Sequence, residues 1–198
     1  MRDGWFYSGD AGSITEDRQL VFYDRIADIV PLGGGETLAP QLIESRLKYS
    51  PYIRDAWVVA KANSPIIAAV IIIDYASVGK WAGRNKIAYT TFSDLSQKQE
   101  VYGLIQQEIS RINQDISASW RINKYINLHK EFDPDEGELT KDRKLRRVFL
   151  KEHYSNLIEA IFSGKSEADT SFKLQYRDGR TGTVKTRVAI KDVKEAKE

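Results

Sequence analysis

An α+β fold is what this 198-residue sequence predicts, on three observations. The first thirty residues are dense in aromatic and β-branched side chains, punctuated by Gly and Asp. The middle of the chain holds two short apolar runs that suit buried strands. Around those runs, apolar residues recur at three-and-four spacing, the mark of helices with one buried face. In detail the expectation is a β-rich N-terminal hairpin, a small mixed-sheet domain with flanking helices, and a C-terminal β-hairpin extension.

Residues 3–30 read as β: Trp5-Phe-Tyr7, a turn at Gly9-Asp-Ala-Gly12, Ser13-Ile-Thr15, a polar turn at Glu16-Asp-Arg18, and Leu20-Val-Phe-Tyr23. A second turn is expected at Gly33-Gly-Gly35, between Ile29-Val-Pro-Leu32 and Glu36-Thr-Leu38. Pro40 suits the first turn of a helix whose buried stripe continues through Ile43 and Leu47. Ala56 to Ala60 and Ile66 to Ile73 read as core strands, the second apolar on both faces. A short helix is expected around Val78–Trp81. A longer one carries Val101, Leu104, Ile105, Ile109, Ile112 and Ile116 on one face, with Ser96 and Gln99 as a capping box at its start. A strand at Lys124–Leu128, an acidic loop at Glu131–Glu136 and a helix carrying Leu150, Tyr154, Leu157, Ile158 and Ile161 follow. Phe172, Leu174 and Tyr176 alternate, Arg177-Asp-Gly-Arg180 turns the chain, and Val184, Val188 and Ile190 return it as a hairpin.

Composition narrows the function. Hydrophobic residues at 41% and charged residues at 29% are ordinary for a globular chain, and a net charge of +2 is too mild to argue for a nucleic-acid or membrane partner. Without cysteine there is no disulfide and no thiolate metal site, which fits a reducing compartment. His129 and His153 stand far apart, so no metal site is expected. The longest apolar run, Pro65 to Ile73, is about half of the roughly 20 residues a membrane-crossing helix needs. No basic segment followed by an apolar one heads the chain, so no secretory leader is expected. A cytoplasmic protein is the expectation, with peripheral membrane contact compatible with it.

Three stretches carry the chemistry. The first is Gly4-Trp-Phe-Tyr-Ser-Gly-Asp10. The second is Asp24-Arg-Ile-Ala-Asp-Ile-Val30, with Gly33-Gly-Gly35 and then Ala39-Pro-Gln-Leu-Ile-Glu44. The third is Gly137-Glu-Leu-Thr140 followed by Lys144-Leu-Arg-Arg147. In this order and spacing they resemble the AMP-forming acyl-CoA synthetases, within the adenylate-forming enzymes. The wording of the third stretch, with Ser50-Pro-Tyr-Ile-Arg-Asp55, is similar to the long-chain fatty acid branch. The resemblance implies an enzyme with a large N-terminal domain and a small C-terminal lid. It places residues 1–26 as the last strands of the large domain, 27–165 as the lid and 166–198 as a hairpin extension. The chain is then expected to begin near the end of its enzyme, with the N-terminal domain as its missing partner. It is expected to be inactive alone, because the family's Ser/Thr/Gly-rich phosphate loop is absent from these residues.

The substrates implied are a fatty acid, ATP and CoA, with magnesium carried on the ATP. A carboxylate must attack the α-phosphate of ATP, and a fixed positive charge where these anions meet is the most useful thing a protein can supply. The resemblance places Lys144 there. Alone, the run from Lys141 to Arg147 would read as a solvated basic helix start. Asp10 matches the family's ribose ligand, since one carboxylate can accept from both ribose hydroxyls. Arg25 would reach the ribose or phosphate. Gly33, Gly34 and Gly35 suit the hairpin that the lid presents to the CoA channel in the second half-reaction, after rotating about a hinge at Ala27. Glu44 is expected to anchor the lid's first helix. Two other readings are another adenylate-forming ligase, for an aryl acid or in peptide synthesis, and a basic binding module without catalysis. Nucleic acid is not expected as a partner, because no aromatics interleave the basic run.

Overall fold

The run Ile-Ala-Ala-Val-Ile-Ile-Ile forms a strand, β6 (Ile67–Ile73), every residue of which is buried. Side chains alternate along a strand, so Ile67, Ala69, Ile71 and Ile73 enter one core and Ala68, Val70 and Ile72 another. A strand apolar on both faces requires cover on both, and the rest of the chain supplies it. These observations come from a computed structural model describing residues 4–175 and 181–194.

β6 pairs antiparallel with β5 (Ile53–Ala60) and parallel with β7 (Lys124–Asn127). A short strand, β10 (Lys191–Asp192), adds antiparallel to the other edge of β7, so the mixed sheet runs β10-β7-β6-β5. A parallel link needs a long crossover. Here it is helical: α2 (Tyr75–Arg84), α3 (Phe92–Ser96) and α4 (Gln99–Gln114). Val78 and Ala82 of α2 and Val101, Leu104, Ile105 and Ile109 of α4 cover one face, together with Ile43 and Leu47 of α1 (Pro40–Leu47). The other face is covered by Leu150 of α5 (Arg147–His153) and by Leu157, Ala160 and Ile161 of α6 (Ser155–Phe162).

Outside this sheet stand three hairpins: β1 (Asp10–Ile14) with β2 (Leu20–Arg25), β3 (Val30–Pro31) with β4 (Thr37–Leu38), and β8 (Glu167–Gln175) with β9 (Thr181–Ala189). The last is rooted in the second core through Ala168 and Val188, with Ile190 just beyond it. Tyr176, the turn expected at Arg177–Arg180 and residues 195–198 lie outside the described residues, as do the side chains of Phe172, Leu174 and Val184.

Several local expectations change. Trp5-Phe-Tyr7 is not a regular strand. Asp10–Gly12 of the segment expected to turn is instead the start of β1, and Gly9 just before it is left-handed (φ 77°). Ser96 and Gln99 form no capping box: Ser96 ends α3 with its hydroxyl donating to the Ser93 carbonyl, and α4 begins after Lys98 with no side-chain cap. Ile116 lies past the end of α4, though it still packs on the core. The helix around Val78 is longer than expected because the Asp74 carboxylate accepts from the Ser77 N–H and caps it. The last helix is two, broken at Tyr154.

Candidate functional site

β1 and β2 bring Asp10 and Arg25 opposite each other across the hairpin, with Arg25 Nε 3.1 Å from Asp10 Oδ1. The Arg25 guanidinium also donates to the Ser8 carbonyl. A bulge between Ala11 and Gly12 sets this register. Gly12 allows it, since a Cβ there would lie 2.4 Å from the Val21 carbonyl oxygen. The preceding residue of β2, Asp24, is fully buried. Its carboxylate accepts from the N–H groups of Arg25 (2.8 Å) and Gln41 (2.7 Å). The second contact satisfies an amide of the first turn of α1, which has no cap of its own.

After Arg25 the chain makes one 3-10 turn, Ile26–Asp28, with the hinge candidate Ala27 exposed on it. Gly33–Gly35 form the loop of the β3–β4 hairpin. Gly34 (φ 74°) and Gly35 (φ 84°) hold left-handed conformations that favour glycine, in open space.

Lys144 is held by a tight turn. The Thr140 N–H donates to the Lys144 carbonyl (2.8 Å), the Lys144 N–H to Thr140 Oγ1 (3.0 Å) and the Arg143 N–H to the Thr140 carbonyl (2.9 Å). Leu139 and Leu145 bridge below it. The base of the turn rests on Glu138, fully buried, whose carboxylate accepts from Lys130 Nζ (2.7 Å), the Asp133 N–H (2.8 Å) and the Tyr154 hydroxyl. Burial, and then the Glu138 charge, push the Tyr154 hydroxyl far above its ordinary pKa, so it remains a donor. Glu138 thus bonds across to the residue at which the last two helices break.

Arg147 fixes the far side of the turn. Its guanidinium grips Glu44 bidentately at 2.7 and 2.6 Å and lies 3.5 Å from Asp28. Glu44 also accepts from the Val58 N–H (2.8 Å), so one carboxylate joins α1, β5 and the lysine segment. Burial pushes the Glu44 carboxyl up, against the Arg147 hydrogen bonds and charge that pull it down. Burial works against the Arg147 charge too, but the hydrogen bond to Glu44 and the charges of Glu44, Asp24 and Asp28 outweigh it and raise its pKa. Every hydrogen bond to Glu44 comes from a donor on Arg147 or Val58, and the net effect of burial is to raise its pKa.

These elements enclose a cleft of about 510 Å³ whose lining includes Asp10, Arg25, Glu44, Arg143, Lys144 and Arg147. Its four acids are each matched: Asp10 by Arg25, Asp28 and Glu44 by Arg147, and Asp55 by Lys48 at 3.5 Å. Two lining cations, Arg143 and Lys144, form no ion pair among the described residues and are exposed. The structure therefore brings Asp10, Arg25 and Lys144 to one cleft, in which Arg143 and Lys144 are the two lining cations outside its ion pairs. The loop Gly33–Gly35 does not line it. Among the described residues no group of three acids or histidines could hold a metal ion, and no helix is long and apolar enough to cross a membrane.

Sequence reasoning missed three contributors. Asp24 follows an aromatic strand and looks like a turn residue. Glu138 was part of a recognised stretch but without a role. Arg147 was indistinguishable from the solvated basic residues around it. The only signal was the presence of acids within otherwise apolar contexts, which requires a partner.

No family model matches the chain. It is 35% identical over 162 residues to the long-chain-fatty-acid–CoA ligase FadD15 of Mycobacterium tuberculosis, covering 81% of this chain and 27% of that protein. It is 28% identical over 163 residues to long chain acyl-CoA synthetase 2 of Arabidopsis thaliana, covering 81% and 24%. Among solved structures, it is similar to the adenylation domain of a carboxylate reductase from Mycobacterium chelonae, with a TM-score of 0.65, 23% identity, and coverage of 82% of this chain and 24% of that one. The chain spans about a quarter of the length of the curated relatives it matches, and it matches their C-terminal part.

Proposed function

We propose that this chain is the lid portion of an ATP-dependent, AMP-forming long-chain fatty acyl-CoA ligase. Similarity to the C-terminal part of such ligases supports the reading, and so does the adenylation-domain fold. Residues 1–26 are the last strands of the nucleotide-binding domain, 27–165 the lid and 166–198 its extension. The observation that carries the proposal is the cleft that Lys144, exposed and without an ion-pair partner among the described residues, lines together with Asp10 and Arg25.

In the first half-reaction a fatty acid carboxylate oxygen attacks the α-phosphorus of ATP, and the bond from phosphorus to the β-phosphate bridging oxygen breaks. Pyrophosphate leaves with that electron pair. The Lys144 ammonium stabilises the charge that gathers between carboxylate and phosphate, in a cleft whose own acids are all held in other ion pairs. Asp10 accepts from the ribose hydroxyls, and its ion pair with Arg25 holds it in place for them. In the second half-reaction the lid turns about Ala27, removes Lys144 and offers the Gly33–Gly35 loop to the CoA thiol channel. That this loop stands outside the Lys144 cleft fits two separate tasks. ATP carries its own magnesium, and the fatty acid, CoA and the N-terminal domain are the remaining partners.

The test is Lys144→Ala in a complete ligase bearing this lid. Acyl-adenylate formation should fall by about a hundredfold or more, the usual scale for removing one transition-state donor. Thioester formation from supplied acyl-adenylate should be preserved. Equal loss of both half-reactions would refute the assignment.

A further inference from the structure

Arg143 stands in a backbone conformation that its side chain does not favour. Its φ is 58°, in the left-handed region where glycine is at ease and other residues are uncommon. Such strain survives only where surrounding bonds over-determine it, and the three hydrogen bonds between Thr140 and the Arg143–Lys144 segment do so. The strain has a geometric consequence. Successive side chains of an extended segment face opposite ways, but the left-handed residue turns the chain here, and both Arg143 and Lys144 line the cleft. Every acid of that cleft is already in an ion pair with Arg25, Arg147 or Lys48. Arg143 forms no ion pair among the described residues.

We propose that Arg143 is a second anion-contacting cation of the adenylation half-reaction, holding the pyrophosphate that leaves as Lys144 stabilises the reacting α-phosphate. The proposal rests on the ligase reading above. Pyrophosphate is the most highly charged group formed in that step, and a planar guanidinium can present two parallel N–H donors to two of its oxygens. Arg143 takes no proton and forms no bond to phosphorus. It contacts oxygens of the leaving group while the electron pair moves onto them.

The left-handed φ provides an informative variant. Arg143→Gly removes the guanidinium yet suits the backbone, so the turn that positions Lys144 stays formed. In a complete ligase bearing this lid, Arg143→Gly should lower kcat/KM for ATP in adenylate formation by about tenfold or more, the scale of one lost hydrogen bond to a charged group. In the reverse direction, from acyl-adenylate and pyrophosphate, it should raise the KM for pyrophosphate by a similar factor. Arg143→Lys should recover part of both losses, because it restores the charge but not the paired donors. Thioester formation from supplied acyl-adenylate should not change, and the melting temperature should be retained. If Arg143→Gly leaves the pyrophosphate KM and adenylate formation within twofold of the parent while Lys144→Ala abolishes adenylation, this role is wrong and the ligase reading stands. If Lys144→Ala leaves adenylation intact, the ligase reading fails and this inference with it. A loss that Arg143→Lys does not restore even in part would also overturn it, since the residue would then be shaping the turn.

Discussion

Truncating Arg147 to alanine would leave the Glu44 carboxylate buried with the Val58 N–H but without its bidentate guanidinium. Removing one partner of a buried ion pair typically costs about 3–5 kcal/mol. Urea unfolding of the chain should show a loss of that order for Arg147→Ala, and Glu44→Leu combined with Arg147→Ala should recover part of it. A loss below about 1 kcal/mol would mean the pair is not the anchor it looks to be. Half of this interaction was legible in the sequence. Glu44 matches the Ile-Glu of the second stretch, and the resemblance led to the expectation that it anchors the first helix. Its partner was hidden because it lies 103 positions along the chain and shares the chemistry of Arg143 and Arg146 beside it. What separates Arg143, Lys144 and Arg147 is not residue type but which of them meets a carboxylate. That depends on tertiary geometry, which a list of residue types does not contain.

Among the elements, the β1–β2 hairpin depends on Gly12 for a different reason than the loop glycines do. Gly34 and Gly35 are selected by dihedral angle, whereas Gly12 is selected by the 2.4 Å approach of a Cβ to the Val21 carbonyl. Gly12→Ala must therefore push the strands apart at the bulge and disturb the Asp10–Arg25 register. Limited proteolysis should cleave the variant faster between residues 12 and 22 than the parent, with little change in the melting of the central sheet. Equal resistance would show that the bulge absorbs a methyl group. The hairpin was legible from its aromatics and polar turn, but its boundaries were not: glycines at positions 9 and 12 look alike, and only Gly9 is left-handed while Gly12 lies within β1. The same limit explains α5 and α6. Leu150, Tyr154, Leu157 and Ile161 keep one buried stripe through both helices, so periodicity cannot reveal that the axis breaks at Tyr154, where the hydroxyl reaches Glu138. The strand β6 was legible because a short β-branched apolar run suits a strand buried on both faces, whereas β5 begins three residues before the expected Ala56.

At the scale of the whole molecule, acid should unfold the chain through His129. The side chain is buried, and burial, followed by the nearby Lys130 charge, lowers its pKa from 6.5 to about 4. The folded protein keeps this imidazole neutral while the unfolded chain protonates it below about pH 6.5. Stability is therefore lost as the pH falls from 6.5 towards 4, by at most about 1.4 kcal/mol per pH unit. Comparing urea midpoints at pH 7.5 and 5 should show the loss, and His129→Gln should have a flatter dependence than the parent. An unchanged slope in the variant would place the acid sensitivity elsewhere.

The strand order β10-β7-β6-β5 also has a temporal side. A ribosome delivers β5, β6 and β7 well before Lys191 and Asp192 emerge, and until then the outer edge of β7 offers unpaired N–H and C=O groups. The Lys124–Asp192 ion pair and the Val193 N–H bonded to the Asn123 carbonyl complete that edge. The nascent domain thus spends the synthesis of more than sixty residues with an open seam, fastened only after every other strand of that sheet has emerged.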